Sequence, residues 1–133
     1  MIDIRYNLSE LTSRVIGAAM AVHSTLGNGF QEVIYQRALS IELATLGINH
    51  VRELEMPIFY RGQQIGLRRV DLYIEDCLSV ELKAIIELQD VHLAQAINYL
   101  EAYQIETGLL INFGARSLQF KRVTNKKFVK SEL

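Results

Sequence analysis

Between Val70 and Ala84 the chain sets charged residues inside two short apolar stretches. Read as strands, Val70-Asp71-Leu72-Tyr73-Ile74 and Leu78-Ser79-Val80-Glu81-Leu82-Lys83-Ala84 send successive side chains to opposite faces. Val70, Leu72 and Ile74 then share one face and Asp71 and Tyr73 the other. In the second strand Leu78, Val80, Leu82 and Ala84 oppose Ser79, Glu81 and Lys83. If the two strands pair as an antiparallel hairpin, residues opposite one another point to the same face, which fixes the parity of the register. Asp71 can therefore face Glu81 or Lys83 but not Leu82. That requires an odd connection, such as three residues around Asp76. Carboxylates placed opposite each other at about 5 Å repel and call for a cation nearby. Lys83 supplies part of that charge, and a metal ion would supply more.

The chain is long enough for one core: 133 residues, half of them hydrophobic, read as a single domain over 1–133. With one proline, eight glycines and no polar low-complexity tract, a long linker is not expected. Cys77, the single cysteine, excludes an internal disulfide and fits a reducing cytoplasm. With no histidine near it in the sequence, it reads as a turn or edge residue rather than a nucleophile. No apolar run approaches the length of about 20 residues that spans a bilayer. Met1-Ile2-Asp3-Ile4-Arg5 lacks the pattern of a secretory signal, so the expected location is cytoplasmic. The net charge of −1 predicts no nucleic-acid partner by itself. Its distribution is uneven, because Arg116, Lys121, Arg122, Lys126, Lys127 and Lys130 face only Glu132 in the segment 116–133. That basic segment is able to hold a phosphate backbone, and a solvated terminal strand explains it equally well.

Asn7 and Glu10 resemble a capping box ahead of Leu8, Leu11, Val15, Ala19 and Val22, spaced as a helix. Gly27-Asn28-Gly29 should end it. Gln31 to Leu46 reads as a second helix with Ile34, Ala38 and Ile41 on one side. Val51 to Tyr60 alternates as a strand that Pro57 assigns to an edge, with a turn at Arg61-Gly62-Gln63-Gln64. Ile65 to Glu75 and Leu78 to Ile86 follow as strands. A third helix runs from a capping Asp90 to about Tyr103. Thr107 to Phe113 is almost wholly apolar, as a strand buried on both faces would be, and Leu118 to Val123 forms a last strand. The order ααβββαβ plus a terminal strand implies an α/β (α+β) fold, a mixed sheet flanked by helices.

Three patterns resemble a known family. Gly29-Phe30-Gln31-Glu32-Val33-Ile34-Tyr35 fits the GxxExxY pattern for which a group of small bacterial and archaeal proteins is named. Asp71 with Glu81-Leu82-Lys83 resembles the D…ExK signature of the PD-(D/E)XK nuclease superfamily, to which that group is assigned. Gln95-Ala96-Ile97-Asn98-Tyr99 is similar to the QxxxY motif that follows ExK in RecB-type and phage-type exonucleases. Val70 stands where the superfamily name has proline. The resemblance spans roughly Leu8 to Val123 and implies a restriction-endonuclease-like fold.

It also implies a site. Asp71 and Glu81 would hold Mg²⁺ or Mn²⁺, hard cations that bind one or two carboxylates and keep several waters. Glu32 would add a ligand or hold a water, and the carbonyl of Leu82 would complete the shell. Lys83 would orient or deprotonate the attacking water. Gln95 and Tyr99, at i, i+4 on one helix face, would bind a phosphate or brace Lys83, and Lys121 and Arg122 would hold the nucleic-acid backbone. Each residue also has a plainer reading. Glu81 and Lys83 alone would be an exposed strand pair worth roughly 0–1 kcal/mol, Glu32 a helix-dipole partner, and Tyr35 a core brace. Gln95 and Tyr99 alone would be ordinary amphipathic-helix residues. His23, His50 and His92 give no zinc spacing, and no phosphate-cradling loop is present.

The functions in contention are a Mg²⁺- or Mn²⁺-dependent nuclease on DNA or RNA, a catalytically inactive nucleic-acid-binding domain of the same fold that would use the basic C-terminal stretch with Arg61, Arg68 and Arg69, and a protein-interaction or regulatory module. A homodimer is open through a sheet edge near Pro57, although no residue pattern demands it.

Overall fold

A computed structural model describes residues 8–129. Its elements are α1 (Leu8–Leu26), α2 (Glu32–Thr45), β1 (His50–Tyr60), β2 (Gln63–Ile74), β3 (Leu78–Lys83), α3 (Asp90–Ala102), β4 (Thr107–Asn112) and β5 (Gln119–Thr124). Helix α1 buries the stripe Leu11, Val15, Ala18, Ala19 and Val22, the helical spacing read from sequence. The Asn7 cap lies outside the described residues. Helix α1 stops where Gly27, at φ 77°, donates its N–H to the carbonyl of His23 at 2.8 Å, a left-handed termination that suits glycine.

Helix α2 buries Tyr35, Gln36, Leu39 and Leu43. This corrects the expected face, because Ile41 is 68 % exposed. The helix docks through Tyr35, whose ring stacks on Phe113 at 4.6 Å and 10°. Its hydroxyl donates to the Gly27 carbonyl at 2.6 Å and accepts the Phe30 N–H at 3.1 Å. One side chain thus fixes the α1–α2 connection and with it the first turn of α2, where Glu32 sits. Tyr35→Phe keeps the stack and removes both hydrogen bonds. Those backbone groups lie in an exposed turn that water reaches, so the expected cost is about 1–2 kcal/mol, measurable by denaturant unfolding.

The five strands form one sheet in the order β1-β2-β3-β4-β5. Strands β3 and β4 are parallel, joined through α3, and every other neighbouring pair is antiparallel. Strand β1, with Pro57, is an edge, as that proline requires. Arg61 and Gly62, both at positive φ, close the β1–β2 hairpin in two residues, the turn whose twist matches that of the strands.

Two apolar layers sandwich the sheet. Leu72, Ile74, Leu78, Val80, Leu82, Leu109, Ile111 and Phe113 pack beneath α1 and α2. Leu110 and Val123 pack beneath Ala96 and Leu100 of α3, with Met56 and Tyr73 at the margin. Strand β4 is buried on both faces, as its composition predicts.

Strand β2 starts at Gln63 rather than Ile65, so Gln63 and Gln64 belong to the strand and not to the turn, and two further boundaries differ from expectation for a visible reason. Strand β3 ends at Lys83 rather than Ile86 because the buried side chain of Asn112 captures the Ile85 backbone, accepting its N–H at 3.0 Å and donating to its carbonyl at 2.9 Å. A side chain at Gly114 would collide with that same backbone. The cap of α3 is Gln89, not Asp90. The Gln89 N–H is accepted by Nδ1 of His92 at 3.0 Å, which leaves Asp90 in the first turn to face the helix dipole.

Candidate active site

Strands β2 and β3 pair at Leu72–Val80, Tyr73–Ser79 and Ile74–Leu78 and then part. The connection is the three residues Glu75, Asp76 and Cys77, the odd count that parity demands. Burial raises the Cys77 thiol above its ordinary range, and the thiol packs against the core in this turn, in keeping with a turn residue.

Asp71 lies one residue beyond the last β2–β3 pair, opposite Glu81. It is also skipped on its other side. The β1–β2 ladder passes from Arg52–Leu72 to Leu54–Val70, omitting Glu53, which has a φ of 54°. With the ladder open, the Asp71 side chain takes over a backbone bond, its Oδ2 accepting the Leu82 N–H at 2.7 Å. Its Oδ1 faces Gln36 Nε2 at 3.5 Å. Gln36 in turn accepts from Arg52 at 3.1 Å, so α2 is tied to the splayed strands.

Glu81 is 11 % exposed at its side chain and accepts a hydrogen bond from the guanidinium of Arg68. The Arg68 guanidinium carbon lies 3.2 Å from the ring centre of Tyr99 on α3, a cation–π stack. Lys83 Nζ lies 3.9 Å from Glu81 Oε2. Glu32, in the first turn of α2, lies near enough to Asp71, Lys83 and Glu81 for their charges to act on it.

All three carboxyl groups titrate above their ordinary range. Burial is the main cause for Asp71, offset by the Leu82 N–H, Arg68 and Lys83. Burial likewise leads for Glu81, offset by Arg68 and Lys83 and reinforced by Asp71. Glu32 rises from 4.5 to about 6, through partial desolvation first and then the charge of Asp71.

A carboxyl whose folded pKa is raised stabilises the fold fully below its ordinary value and loses that contribution as pH rises through the folded value. In EDTA, thermal stability should therefore fall between about pH 4.5 and about pH 6 in the wild type. The fall should be shallower in Glu32→Gln, which has no proton to lose there. Melting curves across that range provide the check.

The remaining residues fall in different places. Tyr99 meets the cluster through Arg68, whereas Gln95, one turn earlier, is exposed. Leu82 buries its side chain in the core and lends its N–H to Asp71. Arg122 is turned away to the first turns of α1, donating to Thr12 Oγ1 at 3.1 Å and Ser13 Oγ at 3.3 Å. Lys121 lines a shallow cleft with Glu87, Leu88 and Gln119.

Gln36 was not among the sequence candidates, and Arg68 was one only as a nucleic-acid contact, not as a partner of the acidic pair. Gln36 carried a signal, lying four residues after Glu32 and so on its helix face. Arg68 had none, because strand parity places it on the face of Leu72. Among the described residues, no three His, Cys, Asp or Glu side chains are grouped to hold a metal ion. The donor chemistry nevertheless fits a hard cation. Asp71 and Glu81 are two converging carboxylates, enough for an ion such as Mg²⁺ that keeps its waters, and burial raises both in spite of the nearby Arg68 and Lys83.

A five-stranded mixed sheet flanked by helices, with an acidic pair and a lysine where two strands part, defines a restriction-endonuclease-like fold. The family described as the PD-(D/E)XK nuclease superfamily matches residues 9–123, and the chain belongs to that superfamily. Its nucleases typically use divalent metal ions. The solved structure of SSO0001 is similar, with a TM-score of 0.54 at 18 % identity over 71 % of this chain. The match spans 50 % of the SSO0001 chain. Comparison with curated proteins gave no match. No helix among the described residues is long and apolar enough to cross a membrane.

Proposed function

We propose that the protein is a metal-dependent nuclease that hydrolyses phosphodiester bonds of DNA or RNA, of the group named for the GxxExxY pattern. The observation that carries this reading is the parting of β2 and β3. It leaves Asp71 on the main chain of Leu82 beside Glu81 and Lys83, and Glu32 of α2 lies near enough to feel their charges.

Water attacking a phosphodiester in line builds negative charge on the phosphate oxygens, which must be met by fixed positive charge. Asp71, Glu81, Glu32 and the Leu82 carbonyl would hold a divalent ion, Mg²⁺ or Mn²⁺, which when bound would supply positive charge to the phosphate oxygens and make water a better nucleophile. Lys83 would orient the water and add charge beside the phosphate as an ammonium, or take the water's proton once it has given up its own. Gln95 and Tyr99 bind the phosphate from α3, with Lys121 and Arg122 further along the backbone. For Arg122 this requires release from Thr12 and Ser13.

The test is incubation with single- and double-stranded DNA and RNA in Mg²⁺, in Mn²⁺ and in EDTA. Cleavage that needs the metal and is lost in Glu81→Gln supports the reading. Absence of cleavage of all four substrates in both metals would overturn it.

The pairing of Arg68 with Glu81 favours a second reading, a binding domain without catalysis. That reading predicts salt-sensitive nucleic-acid affinity that depends on Lys121, Lys126 and Lys127 and survives Glu81→Gln.

A further inference from the structure

The Glu81 carboxylate already has a cation on each oxygen. Oε1 receives the Arg68 guanidinium, and Oε2 faces Lys83 at 3.9 Å. The Lys83 contact is loose, whereas the Arg68 contact is a close hydrogen-bonded pair whose side chains are 13 % and 11 % exposed. Arg68 is further held by the face of Tyr99, and the residue across from it on β1, Met56, packs in the apolar layer under α3. A guanidinium so placed is ordered before any ligand arrives. It offers a planar fork that matches a carboxylate, and it cannot lose its charge by titration.

We propose that Arg68 is a built-in competitor of the divalent ion, pairing with Glu81 when the metal is absent and giving it up when the metal binds. The inference rests on the reading of Asp71 and Glu81 as metal ligands. Its reasoning is electrostatic. A buried carboxylate without a partner is costly, so the fold needs a cation at Glu81 in the absence of metal. Whatever supplies that cation lowers the net negative charge offered to the ion. Arg68 thereby trades metal affinity for stability of the metal-free protein. It acts as a positioning residue, setting where the Glu81 carboxylate points.

The test is Mn²⁺ binding by isothermal titration calorimetry to the wild type, Arg68→Gln, Arg68→Lys and Asp71→Asn, with melting temperatures in EDTA. Arg68→Gln should bind Mn²⁺ about tenfold more tightly than the wild type, the scale of one removed neighbouring charge at partial burial, and should melt lower in EDTA. Arg68→Lys keeps a charge but lacks the fork and should fall between the two. It also serves as the readout if Arg68→Gln does not fold.

Wild-type binding that is lost in Asp71→Asn, combined with equal or weaker binding in the Arg68 variants, would overturn the competition while leaving the metal site intact. Binding in neither the wild type nor the Arg68 variants would overturn both. Binding in Arg68→Gln alone would support both, with the competitor dominant in the wild type.

Discussion

Lys83→Ala is expected to lower cleavage by roughly 10²–10⁴-fold, the range over which a positioned proton acceptor contributes, while Mn²⁺ binding persists. The expectation follows from where β3 ends. The Lys83 carbonyl accepts the Phe113 N–H at 2.8 Å and its backbone pairs with Asn112 of β4, so the main chain is held independently of the side chain. The side chain is only 25 % exposed and points along the same strand face as Glu81. Truncation removes the amine that orients the water or takes its proton, without opening the core. Single-turnover rates at saturating metal separate this loss from any change in binding. Equal cleavage by variant and wild type would mean that Lys83 takes no part, or that the activity belongs to a contaminant.

Asp71→Asn has the second large effect, and its two consequences run in opposite directions. Asparagine keeps an oxygen able to accept the Leu82 N–H, so the hydrogen bond that bridges the parted strands survives. It removes a buried negative charge whose ionisation the surroundings oppose. With its folded pKa raised, Asp71 contributes less to stability at neutral pH than at acid pH. In EDTA at neutral pH the variant should therefore melt at or above the wild-type temperature. The same substitution takes away a metal ligand, so metal-dependent cleavage should be lost and the stabilisation by added Mn²⁺ should disappear. A residue that costs stability and is indispensable to activity is the expected signature of a functional site. Asp71→Asn melting well below the wild type in EDTA would instead mark the aspartate as structural.

Alternation and an odd turn, both properties of short regular strands, suffice to bring Asp71, Glu81 and Lys83 to one face. The three residues Glu75, Asp76 and Cys77 supply that turn. Arg68 escapes that rule. Between Arg68 and Leu72 no pair forms at Asp71 and Glu53, whose φ is 54°, and although the register is unchanged Leu72 packs under α1 and α2 while Arg68 stacks on Tyr99 of α3. The approach of Tyr99 to Arg68 is a contact between distant elements with no local pattern to announce it. Helix α2 was mis-faced for a related reason. Tyr35, Gln36, Leu39 and Leu43 form its buried side, and a face that includes a tyrosine and a glutamine, opposite an exposed Ile41, defeats a reading based on aliphatic spacing. The end of β3 at Lys83 was equally hidden, since it depends on one long-range bond pair from Asn112 to Ile85. Local rules thus carried the strands and the acidic pair, while the parts of the site made by tertiary contact came only with the fold.

The central claim is that Asp71 and Glu81 are ligands of one divalent ion, and anomalous diffraction from crystals soaked in Mn²⁺ measures this directly. The account predicts a single strong anomalous peak within about 2.0–2.3 Å of a carboxylate oxygen of each residue, near Mg²⁺-like distances, with Glu81 no longer paired to Arg68. A structure at saturating Mn²⁺ with no peak there, and with Arg68 still on Glu81, would contradict it.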